Sequence, residues 1–266
     1  METRAGRYAL GAWTALVLLF LFFPIALIAV YAFNDTNVQS WPITSFSTRW
    51  WSATWHDTEV RGALWLSVRA GFAATTIATL LGSAAAFAVH RFRFFGRELV
   101  SLVVILPIAL PGIITGMALN SFFVTGGIAL SLWTIVIGHA TFCIVIVYNN
   151  VIARLRRTSA SLTEASMDLG ADGWQTFRFV TLPVLATALV AGALLAFALS
   201  FDEVIVTYFT AGAQNTLPLW ILGAIRQGTN LPEVNVVVLA VILLTLIPVI
   251  VASRLTRDTG ILRRTR

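Results

Sequence analysis

The sequence predicts an all-α integral membrane protein with six transmembrane helices and both termini in the cytosol. Three observations carry that expectation. The composition is 58% hydrophobic and only 11% charged, with a mean hydropathy of +0.85. Soluble domains carry about 25% charged residues, so a chain of 266 residues cannot hide this much apolar surface in a soluble core. Apolar runs long enough to cross a bilayer recur at about 9–33, 64–89, 99–123, 128–152, 183–209 and 235–253. The 18 basic residues are all arginine, and only Arg49, Arg61, Arg69 and Arg226 lie on one side of that six-span arrangement. Cytosolic loops carry the basic excess, so the richer side is inside. The chain reads as one transmembrane domain over residues 1–266.

Arg4 and Arg7 precede the first span, which is too long for the apolar core of a signal peptide. Pro24 within it is tolerated in a membrane helix. Residues 34–63 are polar and hold Trp41, Trp50, Trp51 and Trp55, with Trp65 just after; this reads as an interfacial belt. Arg69 near the outer end of the second span can snorkel outward. His90, Arg91, Arg93, Arg97 and Glu98 form a basic loop. Pro107, Pro111 and Gly112 break the third span, so its freed carbonyls need neighbouring helices or water. A turn at Thr125-Gly126-Gly127 leads to the fourth span, where His139 reads as a hydrogen-bonded interhelical histidine. The fifth span starts at Pro183 and meets Ser200-Phe201-Asp202-Glu203 before its apolar run resumes. A polar outer segment precedes the last span, and a basic tail ends the chain.

Between the fourth and fifth spans lies a polar loop, residues 158–182. Ser161 with Glu164 three residues on forms a capping-box pattern, so a helix is expected to start there. Gly170 suits the left-handed position that closes it. Asp172 can cap a second short helix, with Gln175 reaching back. Leu182 precedes a proline and is expected outside the helical region. Pro183 suits the first turn of the next helix.

The pattern Glu164, Ala165, Ser166, Gly170, Val180, Leu182 and Pro183 resembles the EAA loop of ABC importer permeases, with Ser166 standing where the family usually has a second alanine. The resemblance implies the type I importer (MetI-like) permease bundle. It implies that Glu164, Ala165, Ser166, Asp168, Gly170, Leu182 and Pro183 belong to a coupling element seated on a cytosolic ATPase. The implied partners are an ABC ATPase dimer, a second permease subunit, an extracytoplasmic substrate-binding protein and membrane lipid. ATP and Mg would sit on the ATPase, with no cofactor on this chain. The implied location is the bacterial cytoplasmic membrane.

Two acidic residues next to Ser200 and Phe201 stand out physically. Ionisable groups in an apolar helix cost a few kcal/mol each at the bilayer centre, so they face water, a cation or a bundle interior. Ser200, Phe201, Asp202 and Glu203 are the candidate substrate-pathway residues, the alternative being that the acidic pair sits solvated at the outer interface. With Tyr31-Ala-Phe33-Asn34, His90 to Gly96 and Leu231 to Asn235, this segment is similar to spermidine/putrescine permeases of the PotC type. The usual acidic pair there is Asp-Asp. The resemblance implies an importer that moves polyamines by alternating access, with a permease for another small solute as the alternative.

Other classes fare worse. A pI near 10.6 does not argue for nucleic acid, because topology explains the arginines. No Walker A segment, HExxH, GxSxG or Cys/His cluster is present, so catalytic and metal-binding residues are expected to be absent. The lone Cys143 excludes an intrachain disulfide. A secondary transporter predicts inverted repeats, and the spans show none. Gly112-Ile-Ile-Thr-Gly116 is a helix-packing signal too common to carry function.

Overall fold

A computed structural model describes residues 4–261, with side chains described between residues 6 and 246. Every regular element among the described residues is helical. Four helices are long and apolar enough to cross a membrane, and a bent helix pair makes a fifth if taken as one span. The chain divides into two compact units, one of residues up to Arg61 with those from Ile221 on, the other Gly62–Trp220.

In the first unit, α1 (Arg4–Tyr31) and α2 (Arg49–His56) pack with α12 (Leu231–Ile261). Ala32, Val236 and Leu239 are buried there, with Trp50 and Trp51 packed against them. Most of α1 is uncovered by the chain itself; Leu19, Phe20 and Phe22 are exposed. The loop after α1 is held by Asn34, whose side-chain amide donates to Thr36 Oγ1 at 3.0 Å and to the Val38 carbonyl at 3.2 Å. An exposed Arg49–Asp35 ion pair at 3.3 Å adds little, at most about 1 kcal/mol.

The second unit holds most of α3 (Thr58–Arg91), then α4 (Arg97–Ala109), α5 (Gly112–Thr125) and α6 (Leu132–Arg157). After them come α7 (Ala160–Asp168), α8 (Gly173–Thr176), α9 (Leu182–Phe201) and α10 (Ile205–Thr210). The chain then enters α11 (Leu217–Gln227). The core lies along α6, where Cys143, Val147 and Val151 meet Leu185 and Ala196 of α9 and Ala78 and Ala86 of α3. Ser101 of α4 and Tyr148 of α6 share a hydroxyl hydrogen bond of 2.8 Å.

The α4–α5 pair bends by 104°. The break falls at Leu110, whose extended backbone (φ −86°, ψ 140°) is what the following Pro111 imposes. Pro107 lies inside α4 and does not end it.

A six-residue helix such as α10 cannot hold itself in water. Its carbonyl end is satisfied from outside instead. The Asn120 amide of α5 donates to the Phe209 carbonyl at 2.6 Å. The Thr134 hydroxyl of α6 donates to the Thr210 carbonyl at 2.7 Å. Close approach supplies the rest. A Cβ on Gly116 would lie 2.7 Å from the Phe209 ring, so the second glycine of the Gly112–Gly116 pair is the seat of α10.

Candidate functional site

Two regions of the second unit hold the residues singled out from the sequence: the elbow of α7 and α8, and the break between α9 and α10.

The elbow starts at Ser159, not at Ser161. Thr158 and Ser159 are extended, and the Ser159 side chain accepts the Ser161 N–H at 3.3 Å. Ser161 is already inside the first turn, and its hydroxyl meets that of Ser159 at 2.7 Å, so the Ser161–Glu164 capping box does not form. The close of α7 matches expectation. The Gly170 N–H donates to the Met167 carbonyl at 2.9 Å and the Ala171 N–H to the Ser166 carbonyl at 3.1 Å. That paired closure requires a left-handed residue, and Gly170 has φ +86°. The Asp172–Gln175 capping box is present in both directions, at 2.8 and 3.0 Å.

Leu182 departs from its expected place. It is helical, with φ −61° and ψ −44°, and it opens α9. The reason lies upstream: Phe177–Thr181 form a π-helical turn, and the Leu182 N–H donates to the Phe177 carbonyl. The wider turn makes room ahead of Pro183, which sits in the first turn of α9 and has no N–H to place.

Glu164, Ala165, Asp168 and Gly170 are exposed, as are Leu182 and Pro183. Around them Leu169 is 90% exposed and Phe179 68%. The elbow therefore presents a mixed polar and apolar face. Beneath it, Phe177 packs edge-on against Phe87 of α3 with ring centroids 5.5 Å apart. Arg154 of α6 donates from Nε to the Val184 carbonyl at 3.0 Å. Ser166 is half-buried and hydrogen-bonds Thr176 across the elbow at 3.1 Å. A recess of about 720 Å³ lies beside it, with Glu164, His90, Arg91 and Phe177 among its lining residues.

At the second region α9 ends at Phe201, and Asp202 to Val204 leave the regular helix before α10 begins. The acidic pair divides. Asp202 is exposed. Glu203 is half-buried, and its Oε1 accepts the Val206 N–H at 2.9 Å, so its carboxylate caps α10. Ser200 is buried and Phe201 half-buried, the latter 6.0 Å from the Phe197 ring, which in turn lies 5.1 Å from Phe72. His139 is 1% exposed and hydrogen-bonds both Ser200 and Thr207. Sequence reasoning recognises His139 as an interhelical hydrogen-bonding group. It does not single out Thr207, Asn120 or Thr134, because nothing in their local spacing says which carbonyl or ring each will meet. No group of three metal-ligating side chains occurs among the described residues.

A helical bundle with a helix–elbow–helix loop and an interrupted apolar helix defines a multi-pass membrane transport component. Residues 78–257 match the family described as binding-protein-dependent transport system inner membrane component, and the chain belongs to that family. It is 32% identical over 255 residues to the spermidine/putrescine transport system permease protein PotC of Escherichia coli K12, covering 95% of this chain and 96% of that one. It is 35% identical over 236 residues to the putrescine transport system permease protein PotI of the same organism, covering 84% and 83%. Among solved structures, a bacterial ABC transporter involved in import of the acidic polysaccharide alginate matches with a TM-score of 0.64 at 18% identity. That match covers 97% of this chain and 98% of the other, and it shows a shared fold.

Proposed function

We propose that this chain is the permease subunit of an ATP-driven importer that moves polyamines inward across the bacterial cytoplasmic membrane. The observation that carries the substrate class is Asp202, an exposed carboxylate at an unwound point between two apolar helices. Phe201 precedes it in the chain, and the Phe201 ring lies 6.0 Å from that of Phe197. A carboxylate with aromatic rings nearby suits an ammonium group. The names of the PotC and PotI relatives point the same way.

In this reading six spans cross the membrane, at about 9–33, 64–89, 99–123, 128–152, 183–209 and 235–253, with both termini and the 158–182 loop in the cytosol. The elbow seats on one ATPase of a dimer. ATP and Mg act there, and closure of the ATPases pulls on α9 through the elbow. A second permease subunit completes the path, and an extracytoplasmic binding protein delivers substrate. This chain performs no covalent step.

The test is uptake of labelled spermidine and putrescine by the complete complex in vesicles, with complex levels measured in parallel. Asp202→Asn keeps shape and removes charge. Loss of one carboxylate–ammonium contact is worth about 1–3 kcal/mol, roughly ten- to a hundredfold in affinity. Unchanged uptake by Asp202→Asn removes the pathway role. Absence of polyamine uptake by the wild-type complex, binding protein present, removes the substrate class.

A further inference from the structure

We infer that His139 is a positioning residue for the pathway carboxylate: from α6 it clamps both sides of the α9–α10 break and so fixes where Asp202 is presented. The inference rests on the proposed pathway role of Asp202 for its purpose, but the clamp itself is read from geometry.

His139 Nδ1 lies 2.7 Å from Ser200 Oγ, in the last turn of α9. Its Nε2 lies 2.8 Å from Thr207 Oγ1, on α10. All three side chains are almost wholly buried, at 1%, 3% and 0% exposure. The protons can be assigned by counting. Thr207 has one hydroxyl proton, and it goes to the Glu203 carbonyl at 2.7 Å. Thr207 must therefore accept from His139, which puts the imidazole proton on Nε2. An uncharged ring then has only a lone pair at Nδ1, so Ser200 donates to it. The result is one directed chain: Ser200 hydroxyl to His139 Nδ1, His139 Nε2–H to Thr207 Oγ1, Thr207 hydroxyl to the Glu203 carbonyl. No donor in it is spare and none is missing.

This chain spans the irregular residues 202–204 and ties both flanking helices to one ring on α6. Glu203 is consumed inside the same device, since its side chain caps α10 while its carbonyl ends the relay. Asp202 takes no part in it. The two acids are thus not equivalent: Glu203 belongs to the scaffold of the break, and Asp202 is the group that scaffold holds out. A buried relay with every member satisfied specifies one arrangement strongly, because breaking any link leaves buried polar atoms unpaired.

The test uses the assembled complex with a cysteine at Asp202, read by its rate of labelling with a water-soluble thiol reagent. The native Cys143 is buried and gives little background. His139→Leu and Thr207→Val, the second preserving volume, are expected to change that rate by about tenfold. His139→Gln, which can both donate and accept, is expected to return it towards the parent value. With Asp202 intact, the same variants should raise the KM for spermidine uptake more than they lower its maximal rate. A side chain that only fills space gives the reverse order, with Leu near the parent and Gln worse, and that order overturns the proposal. So does an unchanged labelling rate in Thr207→Val. Because labelling requires no substrate, a failure of the polyamine reading shows only in uptake and leaves the labelling result to decide the clamp.

Discussion

The hydroxyls of Ser166 and Thr176 meet at 3.1 Å across the elbow, joining α7 to α8 at the position where the importer permeases it resembles usually carry alanine. Thr176 is buried and Ser166 half-buried, so the bond lies on the inner side of the elbow and leaves its outer face free.

Ser166→Ala should loosen the elbow without ending transport. A neutral hydrogen bond is worth about 0.5–1.5 kcal/mol. Amide exchange at Ala171 to Thr176 should quicken by roughly two- to tenfold. Uptake should persist. Loss of uptake would mean the bond is part of coupling itself.

Gly170→Val should be far more damaging. With φ at +86°, a β-branched residue is strained by at least about 1–2 kcal/mol. No neighbouring atom crowds the site, so the strain is in the backbone alone. The variant complex should assemble poorly with its ATPase or hydrolyse ATP without uptake. Full uptake would remove Gly170 from the coupling element.

Single cysteines test the orientation. Placed at Asp57 or Gln214, a cysteine should react with an impermeant reagent added outside intact cells. At Arg93 or Asp172 it should react only after the cells are opened. The opposite pattern would overturn the six-span arrangement.

Glu233, in the first turn of α12 and ahead of the proposed last span, carries a pH signature. Burial pushes its carboxyl above the ordinary 4.5, and the nearby charge of Asp57 adds to the push. A raised acid binds its proton more tightly in the folded state, so its contribution is fully present below 4.5 and is lost as pH rises through the raised value. Glu233→Gln should therefore raise the melting temperature of the purified complex at neutral pH. At acidic pH, below the ordinary carboxylate value, the two proteins should melt alike. A variant less stable than the parent at neutral pH would contradict the sign.

Much of the elbow of α7 and α8 was legible in the chain. Its glycine, its Asp172–Gln175 box and its placement between apolar runs are local signals, set by residues within a turn of one another. The misplaced details were also local, but each depended on a neighbour just outside the pattern. Ser159 was extended and available to cap before Ser161 could. The π turn at Phe177–Thr181 let Leu182 stay helical next to a proline that ordinarily forbids it.

By itself the sequence determined that the protein is an apolar helical membrane chain, where its polar loop lies, and that two acids interrupt its fifth apolar run. Hydropathy and backbone preference are properties of single residues and short windows, so they survive without a fold. Tertiary structure alone decided what surrounds those acids. His139 reaches partners 61 and 68 residues away, and Gly116 meets Phe209 across a helix interface. The hydrogen-bonded pairings arise when packed helices bring buried polar groups within about 3 Å of a partner, where desolvation favours pairing, and the glycine contact arises where two helices approach closely. That is why Asp202 and Glu203, adjacent and alike in charge, end with different surroundings: one faces out, and the other caps the helix that holds it there.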